Sequence, residues 1–243
     1  MSKSASDGQD AVTIVRGRTT PSCASRVAAT ALLALLIVAA PLTAADRNVD
    51  IELWGTWVTV PGDRSFDGLE ELGDTRLHFG TAFGVGAGVN VFWSRRISTQ
   101  FAFSVAEPPA ELVIRVASDV IGVLDLSAVQ IIPVTALVQY HFDPAKSVDW
   151  YLGVGVAWVF LDRRGPIETT SGVRVTEFHF TDDPAFVASA GVSHRFARRM
   201  AFNVEVKVVP FESSARARFD EGQTSGNVII NPVIISAGIA YRF

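Results

Sequence analysis

The chain has 243 residues, a formal net charge of −4 and hydrophobic residues at 49% of its positions. Its acidic balance argues against a nucleic-acid partner, because nucleic acids select a basic face. After Ala45 no segment reaches the roughly 18 consecutive apolar residues of a membrane-spanning helix, which excludes a helical membrane protein.

The N-terminal segment has the pattern of a secretory signal peptide with a long n-region. Four Lys or Arg residues precede an apolar run at 27–40, which is too short for a comfortable membrane span and suits a signal-peptide core. Thr43 and Ala45 are small residues at the spacing that a signal peptidase prefers. We therefore predict a signal peptide over residues 1–45, cleaved after Ala45, and a barrel domain over 46–243. A buried N-terminal helix is the alternative. Cleavage would change the formal charge from −4 to −6, since it removes four basic and two acidic residues.

Period-two alternation predicts eight strands in the remaining chain. One face of each strand carries large apolar side chains, and the other carries mostly small or polar ones. A soluble sheet would cover its second face with Lys and Glu, so these two faces indicate lipid outside and a tight lumen inside. The sequence thus predicts an all-β fold, an eight-stranded antiparallel transmembrane β-barrel. In chain order the predicted strands are Val49–Val60, Phe79–Trp93, Ile97–Ala106, Gln130–Phe142, Trp150–Leu161, Ala185–Phe196, Ala201–Phe211 and Ile229–Phe243.

The connections between these strands alternate in length. Short turns are predicted at Ser94–Arg96, Asp143–Asp149 and Ala197–Met200. Long loops are predicted at Pro61–His78, Glu107–Val129, Asp162–Pro184 and Glu212–Val228. This asymmetry is typical of an outer-membrane barrel with periplasmic turns and extracellular loops. The loop Glu107–Val129 is unusually apolar, so we expect it to fold over the barrel mouth or to bind a partner. Eight aromatic residues near the short turns are expected to form an interfacial girdle: Trp93, Tyr140, Phe142, Trp150, Phe196, Phe202, Tyr241 and Phe243.

The glycine-rich run Gly84–Gly88 invites comparison with a phosphate-binding loop. Its spacing is not G-x-G-x-x-G, and neither a helix pattern nor a Lys-Ser/Thr pair follows it. We instead interpret the alternating glycines as the inner face of a strand that borders a narrow interior.

The predicted lumen is the functional part of the chain. An eight-stranded barrel is wide enough only to be filled by side chains or to hold one small ligand, so a water-filled general porin is not expected. Glu205 and Lys207 share an inner face, where a lone charge is costly, and we expect them to pair across the lumen with charges such as Arg195 or Arg242. The lumen-lining candidates are Trp54, Phe92, Leu137, Val187, Glu205 and Lys207.

No catalytic, cofactor or metal site is predicted. Ser193 and His194 are adjacent on a strand and point to opposite faces, so they cannot form a nucleophile–base pair. His179 lies near Glu177 and two aspartates, which favours a solvated acidic loop over a weak metal site.

Two stretches resemble the OmpW family of outer-membrane proteins. They are Leu137–Pro144, with the sequence LVQYHFDP, and Tyr151–Trp158, with the sequence YLGVGVAW. Asn231-Pro232 and the final GIAYRF are also similar, and Glu107-Pro108-Pro109 sits where the family has a Pro-bearing strand end.

The resemblance implies an eight-stranded barrel with a hydrophobic channel or pocket, associated with uptake of small apolar molecules across the outer membrane of a Gram-negative bacterium. It also implies that Tyr241 and Phe243 form the C-terminal signal read by the barrel-assembly machinery. Pro184 is a departure, because family members carry an aromatic residue at the entry to this strand.

The leading hypothesis is therefore a passive channel or pocket for small hydrophobic molecules, which would leave sideways or into the periplasm. The alternative is a structural or interaction barrel that displays surface loops. A lipid-modifying enzyme and a soluble lipocalin-like barrel are weaker alternatives, because a nucleophile–base pair and a charged outer face are both lacking. Expected partners are outer-membrane lipid and lipopolysaccharide, the barrel-assembly machinery and small hydrophobic ligands, with no nucleic acid and no cofactor.

Overall fold

The computed structural model describes residues 49–62, 64–65, 74–116, 119–164, 168–169, 175–181, 183–219 and 222–243. The predicted signal peptide and its cleavage after Ala45 lie outside the described residues. Within them, no helix is long and apolar enough to cross a membrane.

The described chain is built almost entirely of strands, as its alternating pattern predicts. In chain order they are β1 (Val49–Thr59), β2 (Arg64–Ser65), β3 (Asp74–Phe79), β4 (Ala82–Phe92), β5 (Ile97–Ala106), β6 (Pro109–Val116), β7 (Asp119–His141), β8 (Val148–Arg164), β9 (Glu168–Thr169), β10 (Val175–Phe180), β11 (Asp183–Arg195), β12 (Met200–Val208), β13 (Phe211–Phe219), β14 (Gly222–Ile230) and β15 (Val233–Arg242).

Eight of these strands form a closed antiparallel barrel, which confirms the predicted fold. Its ring order is β1, β4, β5, β7, β8, β11, β12 and β15, and every pair of neighbours is hydrogen-bonded. The first and last strands close the ring, with Asp50 opposite Arg242. Closure leaves no unpaired barrel edge, which is the condition for a sheet to sit in lipid. We call the end with the short connections at 93–96, 142–147 and 196–199 the turn side, and the opposite end the loop side.

The two faces of the barrel follow the predicted alternation. Large apolar side chains cover the outer face, where Phe83 is 86% exposed and Val85 is 68% exposed. The eight aromatic residues predicted as a girdle are all exposed near the turn side. On the loop side, the rings of Trp57 and Phe83 stack with their centroids 6.3 Å apart. An apolar band edged by aromatic residues is the surface expected against a bilayer.

The long connections differ from the prediction, because they contain strands. β3 pairs with β6, β6 forms a hairpin with the first half of β7, and β10, β13 and β14 form a separate three-stranded sheet. The segment Glu107–Val129, predicted as an apolar loop, is largely this hairpin. Ala110 and Leu112 are buried in an apolar cluster together with residues of β3, so this part of the segment packs within the protein.

The predicted strand Phe79–Trp93 corresponds to β4, but its first residue is the last residue of β3. β3 ends at Phe79 and β4 begins at Ala82, and between them the Gly80 N–H donates to the carbonyl of Pro109. Phe79, predicted on the outer face, is 3% exposed. The alternation continues unbroken from one strand to the next, so the sequence pattern alone does not show the boundary.

Candidate functional site

The six lumen candidates all lie on inner faces of barrel strands, at two different levels. Leu137 and Val187 are fully buried and belong to the apolar cluster, while Glu205 and Lys207 are each 4% exposed in a polar region. Trp54 and Phe92 are partly buried. The interior therefore has an apolar half on the loop side and a polar half on the turn side.

Trp54 explains why two inner positions of β4, Gly86 and Gly88, are glycine. A Cβ atom at Gly86 would overlap the Trp54 indole, and one at Gly88 would lie 2.6 Å from its edge. A Cβ at Gly238, on the other side of β1, would lie 2.5 Å from Trp54 Cβ. The glycines thus leave the volume that one large indole fills, as expected of a lumen packed with side chains. Gly84–Gly88 lies in a strand and is not a phosphate loop.

The apolar half consists of packed side chains from all around the barrel and from the strands above it. Leu137 and Val187 are its residues nearest the turn side, and they lie at the same level because both pair with Gly155 of β8. Its buried members are Val58, Val60, Leu77, Phe79, Ala106, Ala110, Leu112, Val129, Ile131, Leu137, Ala157, Val159, Leu161, Ala185, Val187, Val209, Phe211, Val228, Ile230 and Ile234.

On the turn side of Leu137 and Val187 the inward-facing side chains become mainly polar, and Thr135 already contributes one buried hydroxyl on the loop side of Leu137. Gln139 and Ser189 lie two residues closer to the turn side than Leu137 and Val187 on the same strands. Ser189 pairs with Lys207. Gln139 is 1% exposed and its side-chain amide donates to Glu205 Oε1 at 3.4 Å. An apolar molecule that enters from the loop side would therefore meet hydrogen-bonded polar groups directly below Leu137, where desolvation is costly.

The partners of Glu205 and Lys207 differ from the prediction. Lys207 Nζ lies 3.0 Å from Glu205 Oε2 on its own strand, and it also lies 5.2 Å from the centre of the Trp54 ring. Arg242 instead makes two bonds to Asp50, at 2.6 and 2.7 Å, and Arg195 donates to the carbonyl of Pro144. Glu205 and Lys207 are two residues apart on one strand, so their side chains lie on the same face and contact each other. Neither residue therefore needs a partner from across the lumen.

Glu52 is the deepest acid on β1, and it is held by amides. Gln100 donates to Glu52 Oε2 at 2.7 Å, and Asn203 donates to Glu52 Oε1 at 2.9 Å. Asn90 donates to Gln139 Oε1 at 2.9 Å. These contacts join five strands into one hydrogen-bonded layer across the turn half of the lumen. We call the set Glu52, Asn90, Gln100, Gln139, Asn203, Glu205 and Lys207 the polar layer.

A second series of contacts was not anticipated from the sequence. His141 Nδ1 lies 2.7 Å from Asp149 Oδ2, and His141 Nε2 lies 3.0 Å from Ser98 Oγ. This order of groups resembles a serine-hydrolase triad. Ser98, however, is 0% exposed, so a carbonyl substrate has no access to its hydroxyl. The short turns could have revealed the series, because they set the register that places Ser98 opposite Gln139 beside His141.

The barrel wall has a local interruption between β5 and β7, beside the apolar half. Phe103 pairs with Val134 and Ala106 pairs with Ile131, but the two positions between them are unpaired. Pro133 lies at this point and cannot donate a ladder hydrogen bond. The wall is therefore held less tightly here than where its ladder is continuous.

The turn-side mouth is a crevice with acidic groups inside and basic groups at its rim. Asp50, Glu52 and Asp149 line its interior, and Lys146 and Arg198 lie at its rim. Within the described ranges, no group of three or more His, Cys, Asp or Glu residues is placed to hold a metal ion. The side chains around His179 lie outside the described part of the chain.

Comparison with known proteins agrees with this architecture. The model of the OmpW family matches residues 67–243. The outer membrane protein AlkL of Ectopseudomonas oleovorans is 26% identical over 171 residues, which cover 70% of this chain and 66% of the relative. The chain thus spans slightly under two thirds of that relative's length.

Two solved structures share the fold. OprG from Pseudomonas aeruginosa superposes with a TM-score of 0.64 at 13% identity, covering 81% of this chain and 96% of OprG. The solid-state NMR structure of AlkL in DMPC bilayers gives a TM-score of 0.58 at 20% identity, covering 81% of this chain and 90% of AlkL.

Proposed function

Because this chain belongs to the OmpW family and is a barrel of the Gram-negative outer membrane, we propose that it admits small hydrophobic molecules passively through the loop half of its lumen. The observation that carries this proposal is the apolar half of the interior, which ends at Leu137 and Val187. A molecule leaving water would gain about 25 cal/mol for each Å² of apolar surface that it buries there.

The same observation favours a sideways exit. Below Leu137 the path to the turn side is occupied by the polar layer, which an apolar molecule could cross only by separating buried hydrogen bonds. The wall beside the apolar half is interrupted at Pro133. The proposed route therefore runs from the loop side into the apolar half and then between β5 and β7 into the membrane. Since Leu137 is fully buried, the packed side chains must move to let a molecule pass.

Uptake into intact cells tests this route. The entry of a fluorescent apolar dye is measured in Gram-negative cells that produce the wild type, Leu137→Arg or Leu137→Met at equal folded abundance. The wild type should speed entry. Leu137→Met should retain this effect because it conserves volume, and Leu137→Arg should abolish it. Equal entry with and without the protein would refute the proposal.

Conductance of the refolded protein in a planar bilayer then separates the two exits. Uptake without ion conductance supports the sideways exit. Uptake with small conductance steps that apolar solutes block supports passage through the polar layer.

A second candidate function rests on the strands outside the barrel ring. β10, β13 and β14 form their own sheet, and β3, β6 and the start of β7 form another extension of the wall. This surface suits a barrel that displays a binding face, and that candidate would remain if the wild type did not speed dye entry. No catalytic role is proposed for Ser98, because its hydroxyl is inaccessible.

The remaining assignments are also proposals. Cleavage after Ala45 would leave Asp46 as the first residue, which N-terminal sequencing of the protein from outer membranes would show. Tyr241 and Phe243 would be read by the barrel-assembly machinery, and lipopolysaccharide would surround the loop side.

A further inference from the structure

Glu52 is a buried carboxylate without a cationic partner among the described residues. It is 3% exposed, and its two oxygens accept hydrogen bonds from the neutral amides of Gln100 and Asn203. A buried charge that is solvated only by neutral amides is costly, and protein interiors normally supply a counter-charge.

The nearby cations each contact a group other than Glu52. Lys207 pairs with Glu205 at 3.0 Å, and Arg242 makes two bonds to Asp50. Arg195 and Arg199, at the mouth, turn their guanidinium groups to the Pro144 carbonyl and to the Tyr241 hydroxyl. None of these four cations therefore makes a direct ion pair with Glu52.

Two amide oxygens at Glu52, and that of Asn90 in the same crevice, lack hydrogen-bond partners within the described ranges. The side-chain oxygens of Asn90, Gln100 and Asn203 are buried and have no hydrogen-bond partner among the described residues, although each of these amides donates through its nitrogen. Buried unpaired acceptors call for a ligand that supplies donors or positive charge.

The structure leaves room for a small ligand at this point. A cavity of about 10 Å³ is lined by Glu52, Gln100, Asn203 and Glu205, which is close to the space that one water-sized particle needs. Glu52 and Asn203 also line the crevice that opens at the turn side. The cavity is therefore adjacent to a path to the aqueous phase.

From these observations we propose that Glu52, together with the amide oxygens of Gln100 and Asn203, binds a monovalent alkali cation inside the barrel. Oxygen donors of this kind suit hard cations, and the lack of a sulfur or imidazole ligand at Glu52 argues against a transition metal. A monovalent ion matches the single carboxylate that Glu52 contributes to the cavity.

Cation titration of the refolded full-length protein in detergent micelles tests this site. The side-chain amide resonances of Gln100 and Asn203 are followed by NMR as NaCl replaces N-methyl-D-glucamine chloride at constant ionic strength. The expected result is a saturable, sodium-dependent shift of these resonances. Glu52→Gln, which keeps the shape and removes the charge, should abolish the shift. Glu212→Gln, at an exposed acid outside the ring, should leave it unchanged.

Two results would overturn the proposal. If the spectrum does not change when sodium replaces the organic cation, the cavity does not bind sodium. Water, or a protonated Glu52, then supplies the donors for the unpaired oxygens. A shift of equal size in Glu52→Gln means that sodium acts elsewhere. If Glu52→Gln does not refold, Gln100→Met serves in its place, and the proposal then requires that the sodium concentration for half-saturation of the Asn203 shift rise several-fold. The readout is cation binding, so it is independent of hydrophobic uptake.

Discussion

At the scale of single residues, the lumen keeps opposite charges on neighbouring inward positions. Glu205 and Lys207 are both 4% exposed and 3.0 Å apart, with Gln139 as a further donor to the carboxylate. Such a pair adds little net stability, because desolvation offsets its attraction, but either partner alone is a costly buried charge.

We therefore expect Glu205→Gln to lower the free energy of unfolding by about 3–5 kcal/mol, because Lys207 loses its counter-ion. Lys207→Met should have a similar effect. The double variant should be clearly more stable than the sum of the two losses implies, which a double-mutant cycle from urea unfolding in lipid vesicles would measure. Simple additivity would show that the two groups do not act as a pair.

At the scale of the strand, aromatic rings and glycines on neighbouring strands fit together. Trp54 of β1 fills the volume left by Gly86 and Gly88 of β4, and Tyr151 of β8 lies over Gly191 of β11 in the same way. These contacts fix how closely adjacent strands pack inside the ring, so the small inner residues follow from the size of their neighbours.

Gly86→Ala is expected to destabilise the barrel by about 1–3 kcal/mol, because the new methyl group must displace the Trp54 indole. Gly55→Ala is the matched control. It lies on β1 with no atom within 4 Å of an added Cβ, and its effect should stay within about 0.5 kcal/mol. The fraction of folded, heat-modifiable protein at increasing urea gives both values. Equal losses would remove the steric explanation.

The strand is also the scale at which sequence prediction succeeded and failed. Strict alternation identified the inner face of every barrel strand, since a period of two depends only on local geometry. It could not separate β3 from β4 at Gly80, because a strand outside the ring and a barrel strand alternate alike. It also could not identify the partner of Lys207 or the Ser98–His141 contact, which depend on register and side-chain reach.

At the scale of the whole molecule, assembly begins from a chain whose C-terminal strand ends in two exposed aromatics. Tyr241 and Phe243 contact each other edge-to-face at 5.0 Å on the outer surface, and the Phe243 N–H donates to the carbonyl of Val49. The side chain of Phe243 is thus free to be read by another protein, while its backbone is used in the finished barrel.

Phe243→Ala should slow assembly by the barrel-assembly machinery in proteoliposomes several-fold, because the proposed recognition signal is lost. The refolded variant should keep wild-type stability. Phe196→Ala tests a turn-side aromatic of nearly equal exposure, 53% against 52%, and should assemble normally. If both variants assemble equally slowly, Phe243 acts through the aromatic girdle and not as a signal.

Ring closure by β1 and β15 has a consequence for the order of events in time. The bond between Asp50 and Arg242 joins positions 192 residues apart, so the ring cannot be completed until the last strand has been synthesised and delivered. A chain that stops before β15 has two open sheet edges and a lumen open to lipid, and each unpaired backbone group there costs several kcal/mol. A chain truncated before β15 therefore cannot form a smaller barrel, because its two sheet edges stay unpaired. Pairing of β1 with β15 is thus the step that distinguishes a finished barrel from every incomplete chain.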